Sequence, residues 1–391
     1  MKVFENLISK VKPHFEEGGK LENYFYGFEA LETFLFVSGT QSKGTHIKDG
    51  IDLKRTMFTV VVALIPALLF GIWNVGHQHF LAMGEFTALA DGFTDKFLFG
   101  SLKVLPIVTV AYGVGLGIEF IFAMIRRHPV NEGFLVSGML IPLIMPPTVP
   151  LWMVALATAF AVIIGKEAFG GTGMNIMNVA LLARVFVFFA YPTYMSGDTV
   201  WVAGDASLFV DGFSGATPLG VAYEGGAQAL ASVSFLDFDL VSMIIGTVPG
   251  SIGETSVIAI GIGALILLFT GIASWRIMLS VVIGALAAGA VFSMAGISFF
   301  VGIPAYLHMV MGSMLFATVF MATDPVTAAQ TNTGKWIYGL LIGILGMIIR
   351  ALNPAYPEGW MLAILLMNVF APTIDHFVVQ SNIKRRVSRA L

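Results

Sequence analysis

Thr56-Met-Phe-Thr-Val-Val-Val-Ala-Leu-Ile-Pro-Ala-Leu-Leu-Phe-Gly-Ile-Trp-Asn-Val75 contains no charged side chain. A helix rises about 1.5 Å per residue, so a run of this length covers the roughly 30 Å of hydrocarbon in a bilayer. The pattern recurs outward from it. Ten candidate spans fall at about 56–75, 104–125, 133–149, 149–165, 174–192, 255–273, 277–297, 305–323, 336–352 and 359–375. Several are short or interrupted by Pro and Gly. Composition agrees: of 391 residues, 57% are hydrophobic and 12% charged, with a mean hydropathy of +0.86. Soluble domains carry about 25% charged residues. These figures argue against a soluble enzyme and a disordered chain. A formal net charge of −3 offers no basic face for nucleic acid. Cysteine is absent, which removes disulfides, thiolate zinc sites, catalytic thiols and cysteine-ligated iron–sulfur clusters. The sequence predicts an all-α polytopic membrane protein.

Charge orients the spans. Of 21 Lys and Arg, eight lie in residues 1–55 and four in the last eight residues. Basic segments stay in the cytoplasm, so both termini are expected there. Ten spans satisfy that, and Arg126–Arg127, Lys166, Arg276 and Lys335 then fall at inner ends. From Val185 to Ser274 there is no Lys or Arg, while Asp198, Asp205, Asp211, Glu224, Asp237, Asp239 and Glu254 fall there. A long loop of this kind belongs outside, where the span count also puts it. Met1 to Asp52 reads as lacking a signal peptide. Phe4, Leu7, Ile8 and Val11 within residues 3–15 are spaced for a short amphipathic helix, lying on the membrane, on a partner protein or in an ordinary core.

The two halves echo each other. Ser137-Gly-Met-Leu140 precedes Pro146-Pro-Thr-Val-Pro150, and Gly312-Ser-Met-Leu315 precedes Thr323-Asp-Pro-Val-Thr327. Met177-Asn-Val-Ala180 resembles Met367-Asn-Val-Phe-Ala371. With five spans each, the halves have opposite orientation, and inverted repeats with interrupted helices place the functional site where they meet. The expected organisation is a cytoplasmic extension over 1–55, a first five-span repeat over 56–192, an outer loop with a re-entrant segment over 193–254, a second repeat over 255–375 and a basic cytoplasmic tail over 376–391.

Ionisable groups in a bilayer are costly and mark function unless they pair or snorkel. Those near spans are Glu119, Glu132, Lys166, Glu167, Arg184, Asp324, Arg350 and Asp375. Snorkelling fits Arg350 best, beside Asn353 and Pro354. It fits Glu132 and Asp375 least, because both adjoin helix breaks. Three stretches read as unwound: Gly170-Gly-Thr-Gly-Met-Asn175, Pro249-Gly-Ser-Ile-Gly-Glu254 and Thr323-Asp-Pro325. Unwound backbone frees carbonyls and N–H groups for ligands. Asn175 and Asn178 add amide donors and acceptors there, although Gly-rich runs also serve as tight turns or close packing. His77 and His79 are expected on a short, solvated outer loop with no third metal ligand.

The outer loop holds Asp211-Gly-Phe-Ser-Gly-Ala-Thr-Pro-Leu-Gly220. Gly212 and Gly215 permit a turn and Pro218 stops a preceding helix, leaving Thr217 as an accessible hydroxyl.

This stretch resembles the flavinylation signature of bacterial ion-translocating oxidoreductases. The resemblance runs nearly end to end, through Asp52-Leu-Lys-Arg55, Val130-Asn-Glu-Gly-Phe134, Gly165-Lys-Glu-Ala-Phe-Gly-Gly-Thr-Gly173, Pro249-Gly-Ser-Ile-Gly-Glu254, Met321-Ala-Thr-Asp-Pro325, Asn353-Pro-Ala-Tyr-Pro-Glu-Gly359 and Asn382-Ile-Lys-Arg-Arg386. It is to the family of B subunits of Na+-translocating NADH:quinone reductases and the shorter D subunits of Rnf ferredoxin:NAD oxidoreductases. The basic N-terminal extension favours the former. The resemblance implies a urea-transporter-like fold of two inverted five-helix repeats in the bacterial inner membrane. It implies FMN joined through its phosphate to Thr217 by a flavin transferase, with Ser214, Gly215 and Ala216 beside it. It further implies a noncovalent riboflavin, for which Asn175 and Asn178 are the candidates, and a quinone or ion path at Glu132, Gly133 and Asp375. Partners implied are the other subunits, quinone, Na+ and membrane lipid. No residue of this chain is expected to act as an acid–base catalyst or to bind a structural metal. The competing expectation from another class is a small-solute channel on the same scaffold.

Overall fold

The computed structural model describes residues 11–15, 18–19, 21, 24–25, 27–29, 32, 53–127, 133–230, 233, 236, 238–296, 303–353 and 358–390. Glu132 and most of the amphipathic segment at 3–15 lie outside them. Of that segment, Lys12–His14 form a single 3-10 turn, with Lys12 paired to Glu32 at 2.8 Å.

Regular structure among the described residues is helical. Five helices come first: α1 Leu53–Ala82, α2 Phe93–Arg126, α3 Phe134–Leu143, α4 Leu151–Gly165 and α5 Val179–Ala190. The following loop carries α6 Pro218–Leu230, kinked at Gly226, and α7 Leu240–Ile245. Then come α8 Val257–Phe269, α9 Trp275–Met294, α10 Met314–Phe316 continued by a π turn Ala317–Met321, α11 Asn332–Leu352 and α12 Trp360–Ala390. Among the described residues, six helices are long and apolar enough to cross a membrane: Lys54–Ala82, Phe93–Arg126, Leu151–Phe169, Trp275–Met294, Asn332–Leu352 and Trp360–Arg389. Phe134–Leu143, Val179–Ala190 and Val257–Phe269 are apolar but shorter. Starts are set by side chains that accept the first free N–H groups. Asn178 caps α5, Asp239 caps α7, Ser256 caps α8 and Thr331 caps α11.

The segments read as spans 133–149, 174–192 and 255–273 are shorter helices than expected, because breaks consume part of each. After α3 the chain unwinds through Pro146-Pro147, and before α8 it unwinds through Pro249–Glu254. The two unwound stretches satisfy each other. Ile252 N–H donates to the Met145 carbonyl at 3.2 Å and Gly253 N–H to that of Leu143 at 2.7 Å. Backbone groups shielded from water require such partners. Gly71 of α1 makes room for this crossing, since a Cβ there would lie 2.0 Å from the Ile252 carbonyl oxygen. The span at 305–323 is also broken, into a turn Leu307–Val310 and α10.

Two packings recur between the first helices and the last. Among the first, α2 packs on α4 and α4 on α5; among the last, α9 packs on α11 and α11 on α12. The α9–α11 contact is built on small residues that let backbones approach. A Cβ on Gly343 would lie 2.3 Å from the Val281 carbonyl oxygen, and one on Gly284 2.4 Å from that of Leu340. The halves join where α1 meets α8 and α5 meets α12. There the echoed asparagines touch. With its amide turned to satisfy both ends, Asn368 accepts from the backbone N–H of Asn178 at 3.1 Å and donates to the Tyr338 hydroxyl at 2.7 Å.

Two expectations need correction. His77 and His79 are not on a solvated loop: α1 runs on to Ala82. His77 is buried with its ring stacked 5.0 Å from that of Trp73, and His79 lies 2.7 Å from the Ala203 carbonyl oxygen. Arg350 does not snorkel. It is fully buried, donating to the His308 and Met311 carbonyls of the broken segment. The basic end is helical, since α12 continues through Pro372 to Ala390 with its last three turns exposed.

Candidate functional site

Thr217 stands at the N-terminus of α6. Its hydroxyl oxygen accepts from Gly220 N–H at 3.1 Å and its carbonyl accepts from Val221 N–H at 3.0 Å, the geometry of a helix cap. The preceding turn is fixed by its own side chains. Ser214 donates to Asp198 at 3.4 Å and accepts from Ala216 N–H at 3.2 Å. Gly215 sits against the chain at Asp198, where a Cβ would lie 2.4 Å from that residue's carbonyl oxygen. Ala216 is buried and Thr217 half-buried. In the same loop, the Asp205 carboxyl is held below its ordinary range by hydrogen bonds from the Ser207 N–H and hydroxyl. Asp239 is likewise lowered by hydrogen bonds from Ser242.

Thr217 opens onto a cleft of about 390 Å³, its open mouth included, walled by the unwound Val248–Thr255 stretch, Gly312 and Glu358. Behind it, Arg184 of α5 pairs with Glu254 at 2.7 Å and with Glu358 at 3.1 Å. These three side chains are 4%, 4% and 16% exposed. One arginine thus ties α5 to the unwound stretch before α8 and to Glu358 just ahead of α12. Arg184 and Glu254 stand out in the sequence as ionisable residues, but nothing in their spacing predicts the join with Glu358.

A larger cavity of about 770 Å³, its open mouth included, lies between α1, α3, α5, α8 and α10. Its apolar walls include Val60, Val136, Leu140, Val179, Leu267 and Phe320; its polar lining includes Lys166, Thr172, Asn175, Asn178, Thr323 and Asp324. Gly133 is also in the wall. The structure therefore brings together Asn175, Asn178 and Gly133, for which the sequence suggests different roles. Asn178 uses its side-chain oxygen to cap α5 and its amide nitrogen to reach Asp324 at 3.4 Å. Asp324 also accepts from Val326 N–H and the Thr327 hydroxyl, each at 3.0 Å. Asn175 donates to the Met177 carbonyl at 3.1 Å. At the cavity's edge Lys166 pairs with Glu119, both 4% exposed, and Arg126 pairs with Glu167 at 3.2 Å.

A cavity with apolar faces and a few convergent amide and charged groups suits a planar ring system with a polar edge. An isoalloxazine has that shape. The Thr217 site suits a phosphate, because a helix N-terminus carries partial positive charge.

Asp375 lies away from this cavity's lining. Its carboxylate accepts from the Gln330 N–H at 2.6 Å, the Thr331 N–H at 3.0 Å and the Thr331 hydroxyl at 2.5 Å. It thus clasps the N-terminus of α11 from α12.

The family model described as the NQR2, RnfD, RnfE family matches residues 40–384. Relatives include the B subunit of the Na(+)-translocating NADH-quinone reductase of Stutzerimonas stutzeri, 47% identical with 98% of each chain covered. The protein of the same name from Ectopseudomonas mendocina is also 47% identical, with 98% of each chain covered. That of Azotobacter vinelandii is 45% identical over 99% of each chain. With matches of this extent, the chain belongs to the NQR2, RnfD, RnfE family.

Proposed function

We propose that the chain is the membrane-embedded B subunit of a Na+-translocating NADH:quinone oxidoreductase. In this reading it carries FMN esterified through its phosphate to Thr217 and holds riboflavin without a covalent bond in the 770 Å³ cavity. The observation that carries the reading is the placement of Thr217: a hydroxyl at a helix N-terminus, on a loop without basic residues, opening onto a cleft of its own. The full-length kinship to proteins named as B subunits of such reductases supports the assembly with other subunits.

The flavins supply one- and two-electron chemistry; this chain supplies placement, polarity and exclusion of water. Thr217 and the α6 N-terminus hold the phosphate. Ser214 and Gly215 fix the turn that presents it. Asn175, Thr172 and Asn178 offer hydrogen-bonding groups to a ring edge, while Leu140, Val179 and Phe320 cover its faces. Electrons from NADH reach quinone through this chain while Na+ crosses the bacterial inner membrane. Glu132, Gly133 and Asp375 are assigned to the quinone or ion path. A flavin transferase loads Thr217, and both termini are cytoplasmic. The scaffold is read as ten helices in two inverted repeats of the urea-transporter kind. The recurring α2–α4–α5 and α9–α11–α12 packing and the meeting of Asn178 with Asn368 support it.

The test is in-gel fluorescence of the denatured, washed chain after coexpression with the flavin transferase. A fluorescent band that vanishes in Thr217→Ala supports the reading. A dark wild-type band favours a plain solute channel.

A further inference from the structure

The cavity wall holds two ionisable residues, Lys166 and Asp324. Lys166 follows α4 and lines the cavity, and its ammonium is buried against Glu119 of α2. It also lies 5.8 Å from the centre of the Phe134 ring. A buried ion pair is weak evidence for stability, since apolar residues of similar volume serve as well or better. Here the pair is asymmetric with respect to the cavity: Lys166 lines it and Glu119 does not, while the Asp324 carboxylate in the same wall is held by Asn178, the Val326 N–H and the Thr327 hydroxyl. In a medium of low dielectric, a fixed positive charge at that wall favours any occupant that gains negative charge.

We infer that Lys166 is a positioning residue that sets the reduction potential of the ring bound in this cavity, with Glu119 moderating its field. The inference rests on the riboflavin reading given above. When the bound ring takes an electron from a reduced flavin upstream, that donor is oxidised and the ring gains one negative charge. Lys166 keeps its proton and offsets that charge; no bond to the protein forms or breaks. Removing the cation lowers the potential, and neutralising Glu119 raises it.

The experiment is a redox titration of the noncovalent flavin in the purified complex, alongside its content relative to covalent FMN, for Lys166→Met, Glu119→Gln and the double variant. The double variant strands no buried charge, so it keeps the test open if Lys166→Met fails to assemble. Expected are retained riboflavin, a reduction equilibrium at least tenfold less favourable in both variants lacking Lys166, about 59 mV for one electron, and a shift of opposite sign in Glu119→Gln. Retained riboflavin with equilibria within threefold of wild type overturns the role of Lys166. The underlying reading fails separately: Ser137→Trp, which fills the cavity, must abolish noncovalent riboflavin, and unchanged content would place that flavin elsewhere.

Discussion

Function concentrates in a few side chains whose hydrogen bonds differ from what their charge suggests. Thr217 is legible from its motif, yet its role as a helix cap is not, because a cap depends on where the next helix starts. Two effects of changing it therefore separate. Thr217→Ser keeps hydroxyl and cap and should retain attached FMN, whereas Thr217→Ala should lose the flavin and about 1 kcal/mol of local helix stability. Fluorescence of the denatured chain and its melting curve read the two. Asp375 illustrates the converse. Its position beside Pro372 suggests an ion path; its carboxylate also accepts three hydrogen bonds from the start of α11. Asp375→Ala should raise the Na+ concentration for half-maximal turnover and cost roughly 1–3 kcal/mol in thermal stability. Should melting fall while Na+ dependence stays unchanged, Asp375 is a clasp only. The burial of Arg350 is not legible in the sequence, because only the tertiary fold shows that the broken segment 308–311 brings carbonyls to it.

At the level of elements, the breaks matter as much as the helices. The three unwound stretches can be read from Gly and Pro, since these residues either lack a Cβ or lack an N–H. Their partners cannot, because Leu143 and Gly253 pair across more than a hundred residues of chain. Gly71→Val would drive a side chain into the Ile252 carbonyl and should sharply reduce folded yield in detergent, measured by size-exclusion profile. Gly113→Val, where a Cβ meets nothing within 4 Å, is the control expected to behave as wild type. Arg184 holds α5 to the unwound stretch before α8 and to Glu358 ahead of α12. Arg184→Met leaves the Glu254 and Glu358 carboxylates facing each other and should cost about 3–5 kcal/mol. A melting temperature equal to wild type would contradict that account of the join.

For the whole molecule, composition and charge placement are enough for class and expected orientation, because bilayer energetics act on long runs rather than on single contacts. The helix ends and the cavity are not legible that way, since both depend on which helices meet. The chain has no cysteine, so single introduced thiols report sidedness cleanly. Ser207→Cys and Ser388→Cys both sit at exposed positions. An impermeant maleimide applied to intact spheroplasts should label the first and not the second; the reverse pattern would invert the orientation.

The central claim is that one flavin hangs from one hydroxyl outside the helices. Its most direct test is mass mapping of proteolytic fragments spanning Asp211–Gly220 from the mature complex. The account predicts a fragment heavier by one FMN less one water, with fragmentation localising the addition to Thr217. An unmodified fragment at full occupancy, or the addition on Ser214 instead, would contradict it.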